Sequence, residues 1–405
     1  MKILFDLSST QPVSANDFHG GGEYAKTVFY RLCESLPQGA ELEVFYNPQK
    51  KIEKDVLEIC ETRGFTVNLC RDNAAISKLL RERKYDVFFS ALPYFYFDLV
   101  IPEETKFIYT IHGLRSLEYP VDKYMLKYKK ANILRTMKYI SLFYFPCFTK
   151  KLFLNGEIGK LNALFSITKN QTIITVSNHS KFSIAYFFPG INISQLKVLY
   201  SPPKKAEPET GENSEMLKSF SLEAKKYILL IGGDRSEKGA YRACRVLYDL
   251  IMKHSRFPAD IKIIVIGVSD FKPYLNLTKN NGRFVFRGYV AANELECLYK
   301  NACLFLYPTL NEGFGYPPFE AMKYGTLCAC SANSAVTEIC GEAVLYFNPH
   351  DETEMGVRIL QSFDEEIRRE KVEKIAERCR FIGGRQEQDL NLLIKEITEC
   401  NTCMR

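Results

Sequence analysis

Two carboxylates stand eight positions apart in the segment NEGFGYPPFEAMKYG, residues 311–325: Glu312 and Glu320. Between them lie Gly313, Phe314, Gly315, Pro317 and Pro318. The run 304–310 reads as a strand and its exit. The proline pair suits a first helical turn and Gly325 a C-terminal cap, which predicts a short helix over 317–324. Glu312 then falls on a strand-to-helix loop and Glu320 in the first turn. Two carboxylates beside one helix N-terminus can accept hydrogen bonds from several hydroxyls, such as those of a sugar and a ribose. The glycines let backbone N–H groups approach an anion, which the helix N-terminus favours. Either glutamate alone would read as a surface or helix-stabilising residue; the constellation points to a binding site.

Three other places carry chemistry-bearing residues. IGGDRSEKG, residues 231–239, follows a strand and opens a helix. It is not a Walker loop, because no GxxxxGK[ST] is present. Gly20, Gly21 and Gly22 precede a predicted helix from about Glu23 to Leu36. They could close over a phosphate or a sugar, or form a plain surface loop. His112 ends an apolar run at 106–111, at the C-terminal edge of a strand, where a histidine either meets a ligand or is merely hydrogen-bonded. The chain has no GxSxG, no HExxH and no DxD at a strand end. Neither a serine nucleophile nor a metal site is expected.

The elements that must position these residues are short apolar runs alternating with longer segments of helical period. Strands are predicted at 3–7, 43–46, 86–91, 107–111, 173–177 and 198–200 in the first half. In the second they are predicted at 227–231, 261–266, 284–286, 303–307, 327–330 and 344–347. Several runs are continuously apolar, as parallel strands covered on both faces require. The expected fold class is therefore α/β, with two facing, doubly wound, Rossmann-like domains and a ligand cleft at their strand ends. The polar, proline-bearing stretch PPKKAEPETGENSEM, 202–216, reads as the linker. The expected division is a first domain at 1–201, a linker at 202–217, a second domain at 218–380 and a last helix within 381–405.

Composition agrees with a globular chain: 46% hydrophobic and 25% charged over 405 residues. With no signal-like start, the thirteen cysteines read as reduced thiols of a cytoplasmic protein. No stretch is long enough to span a bilayer. The net charge of +6 suits an anionic substrate or membrane surface and falls short of a nucleic-acid footprint. Residues 122–169 hold ten Lys or Arg against two acids, with many Tyr, Phe and Leu. The region 120–170 is thus either an elaborated helical pair with a solvated basic face, or a surface for anionic lipid or a lipid-linked acceptor.

The stretch 307–325, YPTLNEGFGYPPFEAMKYG, resembles the E-x7-E signature of retaining glycosyltransferases of family four, which have the GT-B fold. The following 326–349, TIHGL at 110–114 and HGGGEYAKTVFYRL at 19–32 are similar to further parts of that family. The resemblance implies that Glu312 holds hydroxyls of a transferred sugar and Glu320 the nucleotide ribose. Backbone of Phe314 and Gly315, beside Gly313, would approach the diphosphate or the sugar. Lys238, with Arg235 less firmly placed by its shortened spacing, would neutralise the leaving diphosphate. His112 would lie beside the donor sugar, although Gly113 stands where the family usually has Asp. The resemblance further implies a nucleoside-diphosphate sugar as donor, a glycan or lipid-linked acceptor, no metal or other cofactor, and a last helix around 386–400 crossing back to the first domain. It places the chain in surface polysaccharide or glycoconjugate synthesis, at the inner face of the membrane. A non-catalytic sugar-nucleotide-binding protein and another GT-B-fold enzyme, such as a sugar phosphorylase, are the alternatives.

Overall fold

The computed structural model describes residues 1–12, 20–119, 121–128, 136–137, 140–141, 144, 151–204 and 213–399. The chain divides into two units. The first comprises Met1–Leu117, Phe153–Lys205 and Gly383–Arg405; the second comprises Glu118–Leu152 and Ala206–Ile382.

The first unit is built on seven parallel strands: β1 (Lys2–Asp6), β2 (Glu41–Tyr46), β3 (Thr66–Leu69), β4 (Val87–Ser90), β5 (Lys106–Ile111), β6 (Gln171–Thr175) and β7 (Leu196–Val198). Their order is β3-β2-β1-β4-β5-β6-β7. The second unit has six: β8 (Tyr227–Ile231), β9 (Lys262–Ile266), β10 (Phe284–Arg287), β11 (Leu304–Tyr307), β12 (Cys328–Ser331) and β13 (Leu345–Phe347), in the order β10-β9-β8-β11-β12-β13. Every strand pairing is parallel.

The continuous apolar runs have a simple cause. In the second unit Ile228, Leu230, Ile263 and Val265 pack on one face of the sheet with the helix Ala240–Lys253. Tyr227, Leu229, Ile264 and Ile266 pack on the other, with the helix Ala292–Asn301. Both faces are dry, so alternation of side chains leaves no polar positions. Each such buried Leu or Ile stabilises the fold by roughly 1.5–3 kcal/mol.

Five details differ from the sequence expectation. Gly20–Gly22 form the first turn of the helix Gly20–Ser35 and do not precede it. Strand β3 was not expected. The proposed linker is helical over Asn213–Ser219, while its residues 205–212 lie outside the described ones. Finally, 120–170 does not go as a whole with the first unit, because Glu118–Leu152 group with the second. The last helix also starts well before 386: it runs unbroken from Glu365 to Thr398. Its portion from Gly383 onward groups with the first unit, where Gln386 Nε2 donates to the Ser201 carbonyl at 2.7 Å and Asp389 accepts from the Tyr200 N–H at 2.8 Å. Among the described residues no helix is long and apolar enough to cross a membrane, and no disulfide is present.

Candidate functional site

In an open parallel sheet, the loops after two adjacent strands diverge where the strand order reverses, and a crevice opens there. In the second unit that point lies between β8 and β11. The loop after β8 carries Lys238 and the loop after β11 carries Glu312.

The two loops are stitched together by their backbones. The Leu310 N–H donates to the Glu237 carbonyl at 2.7 Å, and Thr309 Oγ1 lies 3.2 Å from the same oxygen. Glycines permit the approach. A Cβ on Gly232 would stand 2.7 Å from Lys238 Cγ, so this position must lack a side chain for the lysine stem to pass. Gly239 has φ +70°, and a Cβ there would stand 2.1 Å from the Pro308 carbonyl oxygen.

Lys238 and Glu312 form a buried ion pair. Lys238 Nζ also donates to the Tyr307 hydroxyl at 2.6 Å, which in turn donates to Glu312 Oε1 at 2.6 Å. Thr309 Oγ1 reaches the same oxygen at 2.9 Å. All the donors therefore converge on Oε1, and among the described residues none reaches Oε2. The ammonium has three N–H groups, of which two are used here. One acceptor oxygen and one cationic N–H thus remain for a ligand.

Burial pulls the Lys238 ammonium below the usual lysine range, and the neighbouring Glu312 only partly offsets it. Burial pushes the Glu312 carboxyl up, but the Lys238 charge, the Tyr307 hydroxyl and Arg235 outweigh it and hold the group below its ordinary value. Glu312 is in consequence a fixed anion and a poor proton acceptor. Its backbone is fixed too: the Glu312 N–H donates to Ser334 Oγ at 2.9 Å, and Asn333 Nδ2 donates to the Leu310 carbonyl at 2.9 Å. Ser334 holds φ +48°, a left-handed conformation unusual for a residue with a side chain.

The other sequence-derived candidates of this unit lie nearby in the chain. Gly315, at φ +100°, caps the helix Tyr316–Lys323, whose first turn holds Pro317 and Pro318. Phe314 is buried and Gly313 partly exposed. Glu320 is the fifth residue of that helix, in its second turn and not its first, and accepts from the Tyr299 hydroxyl at 3.4 Å. Arg235, half exposed, donates through Nε and Nη2 to Glu237 Oε1 at 2.8 Å each. Tyr307, Thr309, Asn333 and Ser334 were not singled out in the sequence. The apolar run of β11 and the small polar residues around it gave no signal of a charge partner 74 positions away.

In the first unit His112 follows β5, and its Nε2 lies 3.0 Å from the Ala91 carbonyl. Only an N–H can meet a carbonyl, so Nε2 carries the proton. The His112 backbone N–H donates to the Tyr94 hydroxyl at 2.8 Å, and Tyr24 packs edge-on at 4.8 Å between centroids. Tyr24 belongs to the helix that Gly20–Gly22 begin, so His112 and the glycine turn sit on neighbouring elements. Gly113 has φ +144°, which accounts for glycine at this position by backbone conformation. Among the described residues no group of three or more His, Cys, Asp or Glu could hold a metal ion.

Two all-parallel Rossmann-like units define the GT-B class of α/β folds, and solved structures bear this out across the whole chain. A sucrose-phosphate synthase from Thermosynechococcus elongatus superposes with a TM-score of 0.65 at 14% identity, covering 98% of both chains. HepE from Anabaena, solved in complex with UDP, gives 0.64 at 15% identity, covering 98% of this chain and 100% of that one. Residues 225–365, which hold the Lys238–Glu312 pair, match the model of the family described as Glycosyl transferases group 1. The O-antigen chain mannosyltransferase B of Escherichia coli is 29% identical over 216 residues. That match takes in 51% of this chain and 55% of that protein, so the chain spans about half the length of this relative.

Proposed function

We propose that the protein is a metal-independent, retaining glycosyltransferase that moves a hexose from a nucleoside-diphosphate sugar to a glycan or lipid-linked acceptor in polysaccharide synthesis. The observation that carries this reading is the Lys238–Glu312 pair at the β8/β11 reversal, with Glu312 Oε2 and one Lys238 N–H left for a ligand. Mannose is the first sugar to test, because the relative named above transfers it. HepE, with its UDP, supports a nucleotide as the leaving group.

In this mechanism Glu312 Oε2 accepts a sugar hydroxyl, and the Lys238 ammonium meets the diphosphate. The bond between C1 and the diphosphate oxygen breaks, and the negative charge that grows on the oxygen is stabilised by Lys238 in a site of low dielectric. The acceptor oxygen bonds to C1 on the same face, and its proton passes to the departing diphosphate. Glu312, held down and surrounded on Oε1 by donors, stays a ligand and does not act as nucleophile or base. Arg235 adds positive charge at the diphosphate, and Glu320 takes the ribose. His112, with Nε2 committed to the Ala91 carbonyl, and Gly20, Gly21 and Gly22 are the first unit's candidates for contact with the substrates.

Peripheral contact with anionic membrane from the cytoplasmic side forms part of this proposal. Its support is the basic composition of 120–170 together with exposed Leu126, Met137, Ile140 and Tyr144. Most of 129–150 lies outside the described residues. A thermal-shift panel of GDP-mannose, UDP-glucose, UDP-galactose and UDP-N-acetylglucosamine, followed by transfer or hydrolysis assays, tests the enzymatic reading. At least one donor should stabilise the protein and be turned over. No response to any of them would overturn it. Co-sedimentation with phosphatidylglycerol vesicles at low salt tests the membrane contact.

A further inference from the structure

In the second unit's first segment, residues 118–119 and 121–128 are bound to the rest of that unit by polar contacts. Arg242, in the helix Ala240–Lys253, is fully buried, and its Nη2 donates to Asp122 Oδ1 at 2.6 Å. Arg242 Nε and Nη1 have no hydrogen-bond partner among the described residues, so Asp122 is the one anion set against this charge. A buried guanidinium stripped of its only counter-ion is strongly unfavourable, which holds the segment down. Beyond Asp122, the Tyr124 hydroxyl donates to Glu352 at 2.9 Å, and the Tyr128 hydroxyl accepts the Tyr241 N–H at 2.8 Å. Tyr119 stacks on His350 with centroids 5.7 Å apart.

At the start of the same segment the Glu118 carboxylate accepts a hydrogen bond from Asn311 Nδ2. Asn311 is 7% exposed and immediately precedes Glu312. Ser334 Oγ holds the Glu312 N–H on the other side. The carboxylate-bearing loop is therefore gripped from two directions by residues 193 and 22 positions away.

We infer that Glu118 is a positioning residue for the donor. It fixes Asn311 and so holds Glu312 Oε2 where the sugar hydroxyl meets it, with Asp122–Arg242 as its anchor. The inference rests on the reading of Glu312 as a sugar ligand. Glu118 acts through Asn311, so its loss should appear in donor kinetics and leave the global fold in place.

The test uses the full chain and whichever sugar nucleotide of the panel gives the largest thermal shift. Glu118→Ala should raise the donor KM and lower kcat/KM about tenfold, as expected for one lost charge-assisted hydrogen bond, with acceptor KM unchanged. Glu118→Gln keeps an acceptor oxygen for Asn311 and should recover kcat/KM to within about threefold. In a cycle with Asn311→Ala, the double variant should be no worse than either single one, because both remove the same contact. Wild-type donor kinetics in Glu118→Ala overturns the inference. So does strict additivity in the cycle, or a Glu118→Gln variant as impaired as Glu118→Ala. A Glu118→Ala protein that fails to fold also overturns it, since the residue would then be structural. If Glu312→Ala leaves donor binding and turnover intact, it is the proposed site that fails. If Glu312→Ala abolishes them while Glu118→Ala does not, only the positioning role falls.

Discussion

A side chain at Gly239 would collide with Pro308: the first carbon would lie 2.1 Å from the proline's carbonyl oxygen. These residues belong to the two loops that diverge at the β8/β11 reversal, so this close approach sets the distance across which Lys238 meets Glu312. Gly239→Ala combines a backbone clash with φ +70° and should destabilise the protein by roughly 3 kcal/mol or more. Denaturant unfolding measures it. A loss under about 1 kcal/mol would mean that the loops separate easily.

The ion pair makes a prediction in which stability and activity part company. Glu312→Ala and Lys238→Met should each reduce donor turnover by a factor of about 100 or more, as for other groups that stabilise transition-state charge. Glu312→Ala leaves a buried, unpaired ammonium and should cost about 3 kcal/mol of stability. The Lys238→Met/Glu312→Leu double variant should recover most of that stability and none of the activity. Recovery of neither, in a protein that folds, would show that the pair's neighbours, and not its charges, set the cost.

The pH dependence follows from the direction of the Lys238 shift. Burial lowers its value below 10.5 in the folded protein, so the unfolded chain binds more protons in the interval between the two values. Stability contributed by this group therefore rises with pH across that interval, while activity falls as the ammonium is lost. The alkaline limb of kcat/KM should lie below pH 10.5, and it should move upward in any Lys238→Arg variant that retains turnover, because guanidinium does not titrate there. An unchanged limb in that variant would remove Lys238 from the charged role.

Much of this could be read from the sequence, for physical reasons that differ by element. Strands buried on both faces announce themselves as apolar runs, and β8, at Tyr227–Ile231, coincides with its expected range. β3 did not, because it is an edge strand whose Val67 and Leu69 are 37% and 60% exposed, leaving no apolar run to see. The glutamates, glycines and prolines of 311–325 were legible because turn chemistry is local. The partners were not. Lys238 meets Glu312 across 74 positions and Glu118 meets Asn311 across 193, and single-sequence patterns carry no information on such pairings.

A chelator supplies a fourth check. Charge on the leaving group is assigned to Lys238 and Arg235, so donor turnover in millimolar EDTA should stay within about twofold of the untreated value. Loss of activity that added Mg²⁺ or Mn²⁺ restores would assign that charge to a cation instead.

For His112 the test is orientation. Tyr94→Phe removes the hydroxyl that takes the His112 N–H and should cost about 1 kcal/mol of stability, with kcat reduced more than donor KM. Equal effects on both would favour a purely structural tyrosine.

The chain passes between its units at 117/118, 152/153, 205/206 and 382/383. The two therefore cannot be interchanged between relatives as simple halves. A chimera joined within 202–217, the natural place to cut by composition, would import Arg242 and Asn311 from one parent and Asp122 and Glu118 from the other. Hybrids built on this scaffold should fold and work only when residues 206–382 bring their own 118–128 with them.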